Sequence, residues 1–77
     1  MIVAVVFRKR GADEYGGRPY NYETDLNVKV GDIVVCPTVS GLNYGKVVRV
    51  DVDREEIPPR WRDSLREILD FAEQKEE

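Results

Sequence analysis

Apolar and polar positions divide the chain into strand-like runs followed by one helix-like run. Residues 1–8 are mostly apolar and β-branched, which predicts a strand buried on both faces or nearly so. Residues 20–25 alternate aromatic or threonine with polar side chains, as a half-buried strand does. Residues 33–39 and 46–53 are rich in valine and predict two further strands.

The turns between these runs carry glycine. In the segment Lys29–Asp32, Gly31 is expected to adopt the positive φ of a tight turn, and Asp32 to bond the local backbone. Residues 9–19 contain three glycines and a proline and predict a mobile loop. Pro37 predicts that its strand ends at a sheet edge or a bulge. Short strands joined by glycine turns favour a small, strongly bent barrel.

Alternation within residues 46–53 predicts which side chains share a face. Val48, Val50 and Val52 are expected to point one way. The other face would carry Val47, Arg49, Asp51 and Asp53.

A different spacing follows Pro58 and Pro59, where proline suits a first helical turn. Apolar residues recur every three or four positions and predict an amphipathic helix over residues 59–74. Its apolar face would comprise Trp61, Leu65, Ile68, Leu69 and Ala72, with Phe71 at the margin. We expect one domain, with a barrel over 1–56 and a C-terminal helix over 57–77 packed on it.

Composition narrows the class of protein. The 77 residues include no histidine and one cysteine, so the commonest general base and the commonest zinc ligand are missing. Cys36 lies in a valine-rich strand, which favours a buried, inert thiol. Asp51 and Asp53 on one strand face would suit a divalent cation or a solvated edge. We therefore expect a non-catalytic protein with no cofactor and no bound metal.

Two features bear on location. The apolar N-terminal run is too short for a membrane span and has the wrong flanking charges for a signal peptide. A single cysteine fits a reducing compartment. We expect a cytoplasmic protein that does not span a membrane.

The motif Lys29–Val35, followed by Gly41 and by Gly45–Val50, resembles the small SH3-like barrels of the KOW type. With Tyr20, Tyr22 and Pro37 it is similar to the N-terminal 3′-DNA-end-binding domain of primosomal replication-restart helicases. With Tyr20, Tyr22, Thr24, Asp25 and Leu42 it is also similar to short uncharacterised phage and prophage proteins. The likeness covers residues 18–52 and consists mainly of turn and core residues. It implies a mainly β fold: an SH3-like barrel of four to five strands followed by a C-terminal amphipathic helix.

Two functional hypotheses follow. The first is a small accessory protein, of phage or prophage origin, that docks on a protein partner whose identity the sequence does not indicate. Its helix would contact that partner through Arg60, Trp61, Arg62 and Arg66. An apolar helix face that forms a homodimer is an alternative to one that packs on the barrel, so monomer and homodimer both stay open.

The second hypothesis is binding of single-stranded or 3′-end DNA, which the resemblance implies. Small barrels bind single strands with aromatic platforms and nearby cations. Besides Tyr20 and Tyr22, the candidate contacts for DNA or a partner are Arg8, Lys9, Arg10, Tyr15, Arg18, Tyr44 and Lys46. The net charge of −3 counts against this hypothesis, because phosphate binding needs a local basic patch.

Overall fold

A single sheet, curled into a half-barrel, dominates the computed structural model, which describes residues 1–9, 14–62 and 64–72. In this part of the chain the strands are β1 (Ile2–Arg8), β2 (Tyr15–Glu23), β3 (Ile33–Thr38), β4 (Gly41–Arg49), β5 (Arg66–Glu67) and β6 (Asp70–Phe71). A 3₁₀ turn (Arg54–Glu56) and a short helix α1 (Pro59–Arg62) lie between β4 and β5. The mainly β prediction is confirmed, but the expected four to five strands and the C-terminal helix are wrong.

β1 lies near the middle of the sheet, whose strand order is β5-β2-β1-β4-β3-β6. It pairs antiparallel with β2 on one side and with β4 on the other. Val3 and Val5 point into the main apolar cluster, and Ile2 and Ala4 point into a second cluster on the opposite face. The predicted burial of this strand on both faces is therefore confirmed.

The turn between β2 and β3 follows the sequence expectation. Gly31 has a φ of 101°, and the Asp32 carboxylate accepts a hydrogen bond from the Lys29 amide at 2.8 Å. The turn also reaches β4, since the Gly31 amide donates to the Val47 carbonyl at 2.8 Å and the Val47 amide to the Asp32 carbonyl at 2.9 Å. This turn thus aligns β3 with β4.

In residues 46–53 Val47 and Val48 lie on opposite faces as predicted, but Val48, Val50 and Val52 do not share one face, because Val50 packs against the main cluster and Val52 belongs to the second cluster. Val47 is fully buried, while Val48 is exposed. A Cβ on Gly45 would lie 3.2 Å from the Cys36 sulfur, so the backbone of β4 packs closely against the core at Gly45. The odd-numbered positions of β4 therefore face inward. The strand then ends at Arg49, before a bend at Asp51 with a φ of 55°.

Part of the predicted 9–19 loop is strand. β2 begins at Tyr15, and its register with β1 shifts between Val5 and Phe7, a bulge that accommodates Gly17 with a φ of 91°. Residues 10–13, which include the candidate contact Arg10, lie outside the described residues.

Of the described residues in the predicted helix over 59–74, only Pro59–Arg62 are helical. Residues 66–67 pair parallel with β2, and residues 70–71 pair antiparallel with β3. The Ile68 amide donates to Glu23 of β2, and the Leu69 amide donates to Val35 of β3. The segment 66–72 therefore spans the two outer long strands, where it satisfies backbone groups that would otherwise stay unpaired.

Burial explains why this segment has a helical pattern. Ile68 and Ala72 are buried, and their separation of four positions equals that of one helix face. Leu69, expected on the same face, is 55% exposed. Residue 63 and residues 73–77 of the predicted C-terminal part, 57–77, are outside the described part of the chain.

The end of β3 fits the expectation for Pro37. β6 pairs only with Val34 and Val35, so Pro37 lies beyond that pairing. The Pro37 carbonyl instead accepts a hydrogen bond from the Tyr22 hydroxyl at 2.8 Å.

Candidate binding groove

A groove of about 990 Å³ lies between β2, the tip of the β3–β4 hairpin and the segment that runs from the 3₁₀ turn to β5. It follows β2 from Arg18 to Tyr22. Its lining residues are Phe7, Arg18, Pro19, Tyr20, Asn21, Tyr22, Thr38, Val39, Ser40, Asn43, Ile57, Pro58, Arg60, Trp61, Ser64, Leu65 and Arg66. The groove therefore joins residues from the first third, the middle and the C-terminal part of the chain.

Two aromatic side chains in the groove are open to solvent. Tyr20 is 48% exposed and Trp61 is 54% exposed. Phe7 supports Tyr20, with the two ring centroids 5.4 Å apart. Such rings provide apolar surface and a π-face at little cost in side-chain entropy.

Tyr22 has a structural role in the floor of the groove. Its side chain is buried in the main cluster, its ring meets Phe7 edge to face, and its hydroxyl donates to the Pro37 carbonyl. Burial raises the pKa of Tyr22, since the charged phenolate would lose its hydration. Tyr22 thus forms the floor of the groove, whereas Tyr20 and Trp61 provide its accessible surface.

Arg18, Arg60 and Arg66 line the groove without a described acidic partner. No carboxylate in the part of the chain that the structure describes forms an ion pair with any of these three guanidinium groups. Arg60 stacks over the Trp61 ring at 5.5 Å from its centroid. These charges are available to a ligand.

Other arginines are paired with carboxylates. Salt bridges join Arg49 to Glu56, Arg54 to Glu23 and Arg62 to Glu55. Among the described residues, none of those that line the groove is acidic. The groove is therefore a cationic site on a chain whose net charge is −3.

Arg62 has a structural role in shaping the groove wall. Its Nε atom donates to the carbonyls of Ile57 at 2.8 Å and Arg54 at 3.0 Å. Arg54 in turn donates to the Arg62 carbonyl at 3.3 Å. These bonds hold the 3₁₀ turn against α1 and fix the backbone that carries Arg60 and Trp61.

The candidate contact residues predicted from the sequence lie on different parts of the surface. Arg8 and Tyr15 are opposite each other near the β1–β2 connection, beside Lys9. Tyr44 and Lys46 are exposed on β4 and do not line the groove. Arg18 instead joins Arg60, Trp61 and Arg66, which the sequence assigned to a helix.

Some lining residues were not expected from the sequence. The sequence pattern predicts that Phe7 and Val39 are ordinary strand residues. Val39 is almost fully exposed at the hairpin tip, and an apolar side chain next to Ser40-Gly41 is the one local signal of this.

Cys36 is buried in the main cluster. Desolvation by this burial raises the pKa of the thiol to about 11. The sequence-based interpretation of Cys36 as a buried thiol is confirmed, and its neutral form dominates at neutral pH.

The thiol provides a test of the packing. Native protein at pH 8 is expected to react with a disulfide reagent only as fast as it unfolds, whereas urea-unfolded protein reacts at once. Because the folded pKa exceeds the ordinary value of 9.0, the thiol's contribution to stability is complete below pH 9 and is lost as the pH rises towards about 11. Fast reaction of the native protein would contradict the burial of Cys36.

Asp51 and Asp53, the two carboxylates considered as ligands of a divalent cation, have different structural roles. Asp51 occupies the bend after β4, and Asp53 caps the 3₁₀ turn by accepting from the Glu55 amide at 3.0 Å. They do not share a strand face as predicted. Residues 1–9, 14–62 and 64–72 contain no group of three or more histidine, cysteine or acidic side chains placed to hold a metal.

Comparison with protein-family models, with curated proteins and with solved structures found no match for this chain. Among the described residues no helix has the length and apolar character needed to cross a membrane.

Proposed function

We propose that this chain is a small, non-catalytic accessory protein that docks on a protein partner and holds an extended acidic segment of that partner in the groove. The observation that carries the proposal is the set of three arginines, Arg18, Arg60 and Arg66, which line the groove without a described carboxylate partner. Charge complementarity of this kind selects and steers a partner.

The shape of the groove supports an extended occupant. Five consecutive residues of β2, from Arg18 to Tyr22, line it, which corresponds to about 16 Å of strand. Pro19 has no backbone N–H to donate, which makes this stretch of β2 a poor template for an added strand. Recognition would therefore depend on side chains: arginines for acidic groups, and Tyr20 and Trp61 for apolar ones.

A second candidate function is binding of single-stranded DNA. Tyr20 and Trp61 could stack on bases while the arginines contact phosphates, as in other single-strand binders. The net charge of −3 disfavours a long polyanion more than a short acidic peptide, because the charge outside the groove repels it. We therefore rank the protein partner first.

The barrel would be of the SH3-like type, which the Lys29–Asp32 turn and the β3–β4 hairpin support. The phage or prophage origin is supported by the resemblance of residues 18–52, and the cytoplasmic location by the single cysteine.

Trp61 is the one tryptophan of the chain, so its fluorescence reports directly on the groove. A short peptide of alternating glutamate and leucine is expected to give a saturable change in emission. The binding should weaken between about 50 and 200 mM salt, since surface charges are screened more strongly at the higher value. A peptide of alternating lysine and leucine serves as the matched control and should give no change.

A short oligothymidylate tests the second candidate in the same titration. If it binds more tightly than the acidic peptide, with a steep loss in salt, the DNA-binding function replaces the first proposal. If neither probe changes the emission at low salt, the groove is not a site for anionic ligands and the proposal is overturned.

A further inference from the structure

The outward side of β4 exposes an apolar stripe that is separate from the groove. Leu42 is 67% exposed, Tyr44 is 42% exposed and Val48 is 41% exposed. These alternate with Gly45 and Val47, which are buried on the inward side. None of the three stripe residues lines the groove.

β3 extends this stripe into a continuous surface. Pro37 pairs in register with Leu42, and Val35 with Tyr44, so both lie on the same side of the sheet as the stripe. Both are half-buried. We call the five residues Leu42, Tyr44, Val48, Val35 and Pro37 the hairpin face.

Two opposite charges accompany the hairpin face. Lys46 lies between Tyr44 and Val48 on β4, and Asp70 of β6 is in register with Val35. Within the described residues neither side chain forms an ion pair. Lys46 and Asp70 lie two strands apart in the sheet and are offset by two residues along the strands. These two displacements place their Cα atoms about 12 Å apart.

This arrangement is self-complementary. In a two-fold interface the same surface meets itself, so a residue on one side of the axis contacts its counterpart from the other side. A two-fold axis in the plane of the interface that passes between Lys46 and Asp70, near Ile33 and Val35, would bring each lysine opposite an aspartate, with Val35 and Tyr44 close to the axis. An unrelated partner would not require this match of charges within one surface.

We propose that the hairpin face binds a second copy of this chain in an isologous dimer, with Lys46 against the partner's Asp70. A stable interface covers about 800 Å² per chain, roughly a seventh of the 5724 Å² surface of this protein. Because the hairpin face has few large side chains, we expect a dissociation constant in the micromolar range. The dimer leaves both grooves open and does not depend on what they bind.

Charge exchange tests the dimer sharply. Sedimentation across a concentration series should give the dimer mass for the native chain, and K46E and D70K should each weaken self-association at least tenfold, because like charges would then face each other. In an equal mixture of K46E and D70K every new charge meets an opposite one, so the two variants should associate with each other. The double variant K46E/D70K should likewise recover self-association.

Two controls separate this interface from other effects. Lys9→Glu reverses a charge near the β1–β2 connection, and Trp61→Ala removes an aromatic from the groove; both should leave the dimer intact. Leu42→Ser should weaken it. A native chain that stays monomeric at about 100 μM, well above a micromolar dissociation constant, overturns the proposal. So does a mixture of the two charge variants that fails to associate.

Discussion

Replacing Ile68 with alanine is expected to lower the free energy of unfolding by about 2–5 kcal/mol, the usual loss for a large buried aliphatic side chain. The same change at the neighbouring Leu69 should cost less than about 1 kcal/mol, since that side chain is mostly exposed. The physical reason is the extended path of segment 66–72, in which Ile68 enters the main cluster and Leu69 faces solvent.

Urea denaturation of the two variants measures this difference, with the slope of each transition checked against the native protein. The pair distinguishes the structure from the amphipathic helix that the sequence predicts. In that helix Ile68 and Leu69 would share the apolar face, so replacing either one with alanine would lower the free energy of unfolding by a similar amount. Equal losses at the two positions, together with a strongly helical circular dichroism spectrum, would contradict the strand pairing of this segment.

Reversing two groove charges together, in R60E/R66E, is expected to reduce binding of the acidic peptide more than a hundredfold. Each substitution removes an attraction and adds a repulsion, and both charges lie in the groove that the peptide would occupy. The measurement is the Trp61 titration. Replacing Arg60 also removes a cation–π contact, so the emission of each free variant is recorded first.

Lys29→Glu is the matched control for this prediction, because Lys29 is exposed in the turn before β3 and does not line the groove. It changes the net charge in the same direction and should change affinity only slightly. An equal loss per reversed charge in R60E/R66E and Lys29→Glu would show that overall charge governs binding and would remove the groove from the proposal. An unchanged thermal midpoint of R60E/R66E excludes unfolding as the cause, since Arg62 still holds α1 in place.

Most of the first fifty residues could be predicted because their signals are local. A run of β-branched residues favours a strand buried on both sides, and β1 is such a strand. Gly31 and Asp32 specify a turn through their own backbone preference and side chain. Cys36 follows two valines in an apolar strand, a local pattern that favours burial, and it is buried.

The facing of β4 could not be predicted, because it depends on a contact between strands. In a valine-rich run such as 46–53, alternation alone allows either the odd-numbered or the even-numbered side chains to face the core. The close approach of Gly45 to Cys36 and Val5 chooses the parity that buries Val47. No residue of β4 by itself contains that information.

The groove could not be predicted from the sequence either, because it too depends on contacts between strands. Arg18 and Arg66 were recognised as candidates, but the sequence assigned them to different surfaces. They meet because the C-terminal segment returns to pair with β2.

The sequence by itself determined that this is a mainly β protein with a glycine turn before β3, a buried cysteine and an N-terminal strand buried on both faces. Each of these follows from neighbours along the chain. Only the tertiary structure decided that segment 66–72 is extended, since Ile68 and Ala72 suit a helix face and an edge strand equally well. The unpaired edges of β2 and β3 resolve that ambiguity, and in doing so they bring the arginines and Trp61 into one groove.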